Sequence, residues 1–186
     1  MYMRNYLSRL FKNSKGFTLI ELLVVIGILG VLAAALIATI DPFEQIKKAN
    51  DTNSKNTAVE FVDANIRYYT THSVLPWASG SAGYVTSCGS SDATLTGASA
   101  KKCIGDSTSG LIGDGELKPA FINATTVLAT INYTGTATSV IACFQPTSKS
   151  QLNDPNTIYD NAGNAASSSS CKSKGGTSTT CYWCAQ

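Results

Sequence analysis

The chain has 186 residues, 14 basic and 12 acidic side chains, a net charge of +2 and one histidine. That length holds one compact domain plus an appendage. The positive balance is local: Arg4, Arg9, Lys12 and Lys15 lie in residues 1–16 with no acid among them, and without those four the charge is −2. A nucleic-acid footprint is therefore not indicated for the rest of the chain, and one His among dispersed acids leaves little for a catalytic centre.

The basic leader is followed by FTLIELLVVIGILGVLAAALIATI, Phe17 to Ile40, in which Glu21 is the only charge. As a helix this run is about 36 Å long, against about 30 Å of hydrocarbon. The basic residues before it place the N-terminus in the cytoplasm and the remainder outside. A cleaved secretory signal would be shorter and would end in small residues, whereas Ala33 to Ala35 lie inside the run. A plain signal anchor fits length and charge but leaves the costly Glu21 unexplained. Gly30, Ala34 and Ala38 recur every four residues and, with Gly27, give a smooth face for close helix approach.

The stretch Lys15-Gly16-Phe17-Thr18-Leu19-Ile20-Glu21-Leu22-Leu23, after a short basic leader and before an apolar helix, resembles the class III signal of type IV pilins and pseudopilins. The resemblance is tight over residues 15–45, looser to Trp77 and weak beyond. It implies cleavage by a prepilin peptidase between Gly16 and Phe17, with Phe17 becoming the N-methylated first residue. Glu21 would then neutralise the new ammonium of its own or an adjacent subunit, acting as a register key in a low-dielectric filament core.

Asp41-Pro42 ends the apolar run. Pro42 cannot donate to the carbonyl of Ala38, so a kink is expected there. A helix restarting with Asp41 as cap, and a simple membrane exit, are alternatives. Residues 43–70 read as an amphipathic helix. Its stripe holds Phe43, Ile46, Asn50, Thr57, Ala58, Phe61, Val62, Asn65, Ile66 and Tyr69, with Asp51 and the lysines on the polar side. The stripe is expected to lie on a sheet, and Pro76 to end the helix. His72 reads as a surface or cap residue.

Beyond Trp77 the composition turns to Ser, Thr, Gly, Ala and Asn. Residues 78–125 are expected to be a long connection. Thr126 to Tyr133 and Ser139 to Gln145 read as strands of a hairpin around Thr134-Gly135, Asp160 to Gly163 as a turn, Ser167 to Ser170 as a low-complexity loop, and Thr179 to Ala185 as a last strand. All 6 cysteines lie in this half, as disulfides in an oxidising space would. Cys88–Cys103 would staple the connection. Cys181 and Cys184 on a strand face opposite sides, so Cys184 could reach Cys143 and Cys181 could close a loop to Cys171, one of about fifteen pairings. A redox CxxC needs a helix N-terminus, and a zinc site needs two further ligands at suitable spacing.

Some pseudopilins carry a C-terminal calcium loop, and Asn153, Asp154, Asp160 and Asn161 could supply its oxygens, although they also suit turns. Otherwise no cofactor is expected. Asn50-Asp51-Thr52, Asn123-Ala124-Thr125 and Asn132-Tyr133-Thr134 spell glycan acceptors by a short pattern.

The fold expected is α+β: a long N-terminal helix, membrane half and amphipathic half, on a small antiparallel sheet stapled by disulfides. Its parts are a leader (1–16), a transmembrane or filament-core helix (17–40), a stalk helix (41–76) and an extracellular module (77–186). The function expected is a non-enzymatic filament subunit. It would be stored as a single-pass inner-membrane precursor and polymerised with other subunits by an assembly machine. A secretion-system pseudopilin and a membrane-anchored binding module are the alternatives. Six cysteines and a Ser/Thr-rich surface favour the exposed filament over the pseudopilin.

Overall fold

The computed structural model describes residues 16–78, 88, 97–106, 108–166 and 170–186. They fall into two compact units, one ending at Pro42 and the other running from Phe43 to Gln186.

The first unit is the helix α1, Leu19–Thr39, with a mean hydropathy of 2.8. Not one of its residues is buried by the chain. Thr39 returns its hydroxyl to the Leu36 carbonyl at 2.8 Å, and Ile40 is extended. A second helix, α2, starts at Pro42 and runs to His72. The proline therefore opens a helix rather than kinking one. At the first position its missing N–H costs nothing, and its ring disfavours helical geometry at Asp41.

In the second unit α2 buries Ser54, Ala58, Phe61, Asn65 and Tyr68 at spacings of three and four, flanked by Val62 and Ala64. The expected stripe needs correction. Phe43 and Ile46 are 73% and 58% exposed, Ile66 and Tyr69 are largely exposed, and Asp51, assigned to the polar side, is 3% exposed. The buried face is set by what the module brings to the helix, and that includes hydrogen-bond donors. Asn65 donates to the Phe61 carbonyl at 2.7 Å. The helix ends before Pro76, at Ser73, whose φ of 61° is left-handed and whose N–H donates to the Tyr69 carbonyl at 2.7 Å. Trp77 is buried just beyond and donates Nε1–H to the Thr136 carbonyl at 2.8 Å.

The expected connection is more ordered than its composition implied. Its described part holds α3 (Gly97–Ile104), the short α4 (Gly110–Gly113) and a 3-10 turn (Pro119–Asn123). Ile104, Leu111, Leu117 and Phe121 are buried in the same core as Phe61 and Trp77. Gly110 has φ 74°, and a Cβ there would lie 2.7 Å from the Cys103 carbonyl oxygen, so the α3–α4 corner requires glycine.

Residues Thr125–Thr130 form α5, not a strand; β1 begins only at Ile131 and ends at Gly135. A short run of Thr, Val and Leu fits either state by pattern alone. Here the Leu128 N–H continues from the preceding turn, donating to the Ala124 carbonyl at 2.9 Å, and Leu128 is buried. The hairpin to β2 (Val140–Phe144) turns at Thr136 to Ser139, closed by Thr136 N–H to the Ser139 carbonyl at 2.9 Å, rather than at Thr134-Gly135. After α6 (Lys149–Leu152) come β3 (Thr157–Tyr159) and β4 (Tyr182–Ala185). The sheet has 4 strands in the order β1-β2-β4-β3, and its neighbours are antiparallel.

Alternation along the strands sorts the two faces. Tyr133, Ala142, Phe144 and Trp183 join the core that α2 covers, with Tyr133 edge-on to Phe61 at 4.7 Å between ring centroids. Cys143 and Cys184 are directly paired in the ladder. The Asp160-to-Gly163 turn lies against β1 and β2: Thr134 donates to the Ala162 carbonyl, and a Cβ on Gly163 (φ 84°) would sit 2.7 Å from Ile141 Cγ2. Ser167 to Ser169 lie outside the described residues.

Candidate processing and assembly site

Gly16, Phe17 and Thr18 precede α1 outside the helix, and Phe17 is 80% exposed. A Cβ added at Gly16 would meet nothing within 4 Å. The fold therefore gives no reason for glycine at the expected cleavage point. The same holds for Gly27 and Gly30 inside α1, although glycine in a helix interior costs about 1 kcal/mol relative to alanine.

Thr18 caps α1 with extended backbone, φ −75° and ψ 148°. Its Oγ1 accepts from the Glu21 N–H at 3.3 Å. Glu21 reaches back: its Oε2 accepts from the Thr18 N–H at 2.9 Å and from the Thr18 hydroxyl at 2.8 Å. This is a reciprocal capping box, which satisfies two N–H groups that a helix start otherwise leaves unpaired. The expected role of Glu21, neutralising an ammonium of its own or an adjacent subunit, left out this one at the helix start. The spacing Thr-x-x-Glu before an apolar run was the signal for it. In this structure the carboxylate is held at the start of the helix, one residue from the atom that cleavage after Gly16 would turn into an ammonium.

A second carboxylate was also missed. Asp51 Oδ1 and Oδ2 each accept from the Thr147 N–H at 3.0 Å; Oδ1 also accepts from the Thr147 hydroxyl at 3.0 Å. Oδ2 takes the Ser148 N–H at 2.7 Å and the Ser148 hydroxyl at 2.6 Å. Glu44, two turns earlier, accepts from the Lys149 N–H at 3.0 Å, and that bond, with the Lys47 ammonium, holds its carboxyl below the usual range. Together they fasten the β2–α6 segment to α2. The partners are 96 and 97 residues from Asp51, so no local pattern could have shown them.

The three disulfides are Cys88–Cys103, Cys143–Cys184 and Cys171–Cys181, with Cα separations of 4.5, 4.1 and 5.5 Å. The two cysteines of the CxxC thus join different partners. His72 stacks on Tyr68 at 4.0 Å, its Nδ1 beside the Tyr68 carbonyl and the Thr71 hydroxyl, at the end of α2. Asp154 Oδ1 accepts from the Asn156 N–H, and its Oδ2 lies 3.8 Å from the Lys55 ammonium. Asp160 accepts from Ala162 and Asn164, its turn neighbours. Asn50, Asn123 and Asn132 are exposed.

Residues 11–37 match the family model described as the prokaryotic N-terminal methylation motif, the class III signal of type IV pilins and pseudopilins. The match spans the end of the leader and most of α1, and none of the outer module. No curated protein and no solved structure matches this chain. This motif runs into an apolar helix long enough to cross a membrane and left uncovered by its own described residues, which supports a single-pass membrane precursor.

Proposed function

We propose that this protein is the structural subunit of a type IV pilus-like surface filament. A prepilin peptidase cuts it after Gly16, Phe17 is methylated, and an assembly machine polymerises it through α1. The observation that carries this reading is the pairing of the methylation motif with a helix of 21 residues, none of them buried in its own chain. Lipid accounts for the apolar surface of the precursor but not for glycines at positions 27 and 30. Helices of other copies packing closely would use both. Glu21, already at the helix start, pairs with the Phe17 ammonium of its own or the next subunit, so that only correct stacking leaves no charge unpaired. The module carries three disulfides, which suits a long-lived surface outside the cell. This reading gives the protein no catalytic role and requires no cofactor.

The test is deletion of the gene in its native cell, followed by electron microscopy and by mass spectrometry of sheared surface material. The reading predicts filaments that contain this chain and vanish on deletion. Filaments that persist, with a secreted protein now retained inside the envelope, would instead make the chain a secretion pseudopilin.

A further inference from the structure

We infer that this chain is a substrate for a thiol–disulfide isomerase: it reaches its native cysteine pairing through a partner that carries an exchanging thiolate, and oxidation alone traps it with β4 undocked. The inference rests on the bridges of the outer module and requires no polymerisation. Cys88 pairs with Cys103, the next cysteine in the chain. The other four are nested, with Cys143–Cys184 enclosing Cys171–Cys181. Pairing each with its neighbour would instead give Cys143–Cys171 and Cys181–Cys184.

Two effects favour the neighbouring pairs before the module folds. Cys184 lies 3 residues from Cys181 and 41 from Cys143. Closure probability falls with about the 3/2 power of loop length, an advantage of about 50-fold for Cys181, part of which the stiffness of so short a loop takes back. A chain crossing the membrane N-terminal end first also presents Cys143 and Cys171 to the oxidant before Cys181 and Cys184.

The fold makes that product a trap. β4 lies between β2 and β3, with Trp183 opposite both Phe144 and Thr157. In extended chain Cys181 and Cys184 stand about 10 Å apart on opposite sides, whereas a disulfide spans at most about 7 Å between Cα atoms. A Cys181–Cys184 bridge therefore bends the chain where β4 must run straight, and the sheet loses an inner strand. In the folded chain all four cysteines are buried, so exchange has to precede the docking of β4.

Three exchanges correct the pairing. The partner's thiolate attacks Cys184 Sγ, breaking Cys181–Cys184 and releasing the Cys181 thiolate. That thiolate attacks Cys171 Sγ, forming Cys171–Cys181 and releasing the Cys143 thiolate. Cys143 then attacks Cys184 Sγ in the mixed disulfide, forming Cys143–Cys184 and returning the partner's thiolate. Each step breaks one S–S bond and forms one, so there is no net oxidation or reduction.

The test dilutes the full chain, reduced and unfolded, into detergent with diamide as oxidant and no free thiol. Trypsin and chymotrypsin cut between all four cysteines, at Lys149, Lys172 and Tyr182, and mass spectrometry reads the pairs. The expected result is Cys181–Cys184 in most molecules, falling about tenfold once diamide is removed and a catalytic amount of reduced protein disulfide isomerase is added. Reduced glutathione at the same thiol concentration should correct the pairing far more slowly. The C171A/C181A variant, which lacks the competing thiol, should form Cys143–Cys184 with diamide alone. Native pairs in the wild-type chain without a thiol would overturn the inference, as would a C171A/C181A variant that needs the isomerase equally. Equal correction by glutathione and isomerase would overturn it in favour of exchange with any small thiol.

Discussion

α1 and the outer module use apolar residues and glycines in opposite ways. In the module Phe61, Trp77, Leu111 and Phe144 are buried against one another. Its corner glycines are required where they stand, since a side chain at Gly110 or Gly163 would collide with the Cys103 carbonyl or with Ile141. In α1 no residue is buried by the described chain, and a side chain at Gly27 or Gly30, or at Gly16 just before the helix, would meet nothing within 4 Å. The module is thus explained by its own chain. On the proposed reading, the exposed surface of α1 is accounted for by partners: a peptidase at Gly16, lipid around the helix, and neighbouring copies at Glu21 and the small residues, with the capping box at Thr18 the one role Glu21 has within its own chain. A substitution in one region should therefore be silent in the other, which gives the contrast its tests.

The largest effect expected is at Glu21. Glu21→Ala should reduce sheared filaments to about a tenth of wild type or less, because the unpaired ammonium recurs at every added subunit. The denaturant midpoint of the module, followed by Trp77 and Trp183 fluorescence in the detergent-solubilised chain, should not move. Normal filaments from this variant, or a module that unfolds early, would break the contrast.

Within the module the disulfides come next. Cys143–Cys184 closes a separation of 41 residues and Cys171–Cys181 one of 10. By chain entropy, removing the first pair by double Cys→Ala replacement should cost about 4 kcal/mol and the second just under about 3 kcal/mol. Urea titration of the two variants gives the order, and the reverse order would show that native contacts around the bridges dominate loop length.

Asp51→Ala should cost about 3 kcal/mol, because it strands the buried N–H and hydroxyl of Ser148 and removes the part-buried bonds from Thr147. The same urea titration measures it. Cleavage after Gly16 should proceed at the wild-type rate in this variant.

The smallest effect is acid sensitivity. The Lys149 N–H on Glu44, the Thr108 hydroxyl on Asp106 and the Asn164 side chain on Asp160 each lower a carboxyl pKa in the folded chain. Groups depressed on folding contribute stability above their unfolded pKa, about 4, and lose it as pH falls through the folded values. The urea midpoint should be flat from neutral pH to about 5 and decline below about pH 4. α1 helicity in detergent should not follow it.

The two regions also differed in how far the sequence disclosed them. The processing motif and the span are written in contiguous residues, and a local pattern suffices to read them; Pro42 was expected to kink a helix, with a restarted helix as an alternative, and it opens one. β2, β4 and the Asp160-to-Gly163 turn were legible for the same reason. What was missed depends on distance or on competition between local states. Asp51 looked like a surface acid because its donors lie 96 residues away. Thr126 to Thr130 looked like a strand because β-branched residues favour one, yet the preceding turn feeds a helix there. Phe43 and Ile46 looked like core because they continue the period of Phe61 and Asn65, but they are exposed. Thr18 was legible and overlooked, since its spacing to Glu21 is a known helix-start signature.

The most direct test of the account is the intact mass and N-terminal sequence of the protein taken from its native envelope. The account predicts a start at methylated Phe17, with 6 hydrogens missing for the three disulfides. A start at Met1 in protein from healthy cells would contradict it. Gly16 would then have no peptidase to explain it, α1 would be a plain anchor, and Glu21 would be left with its capping role alone.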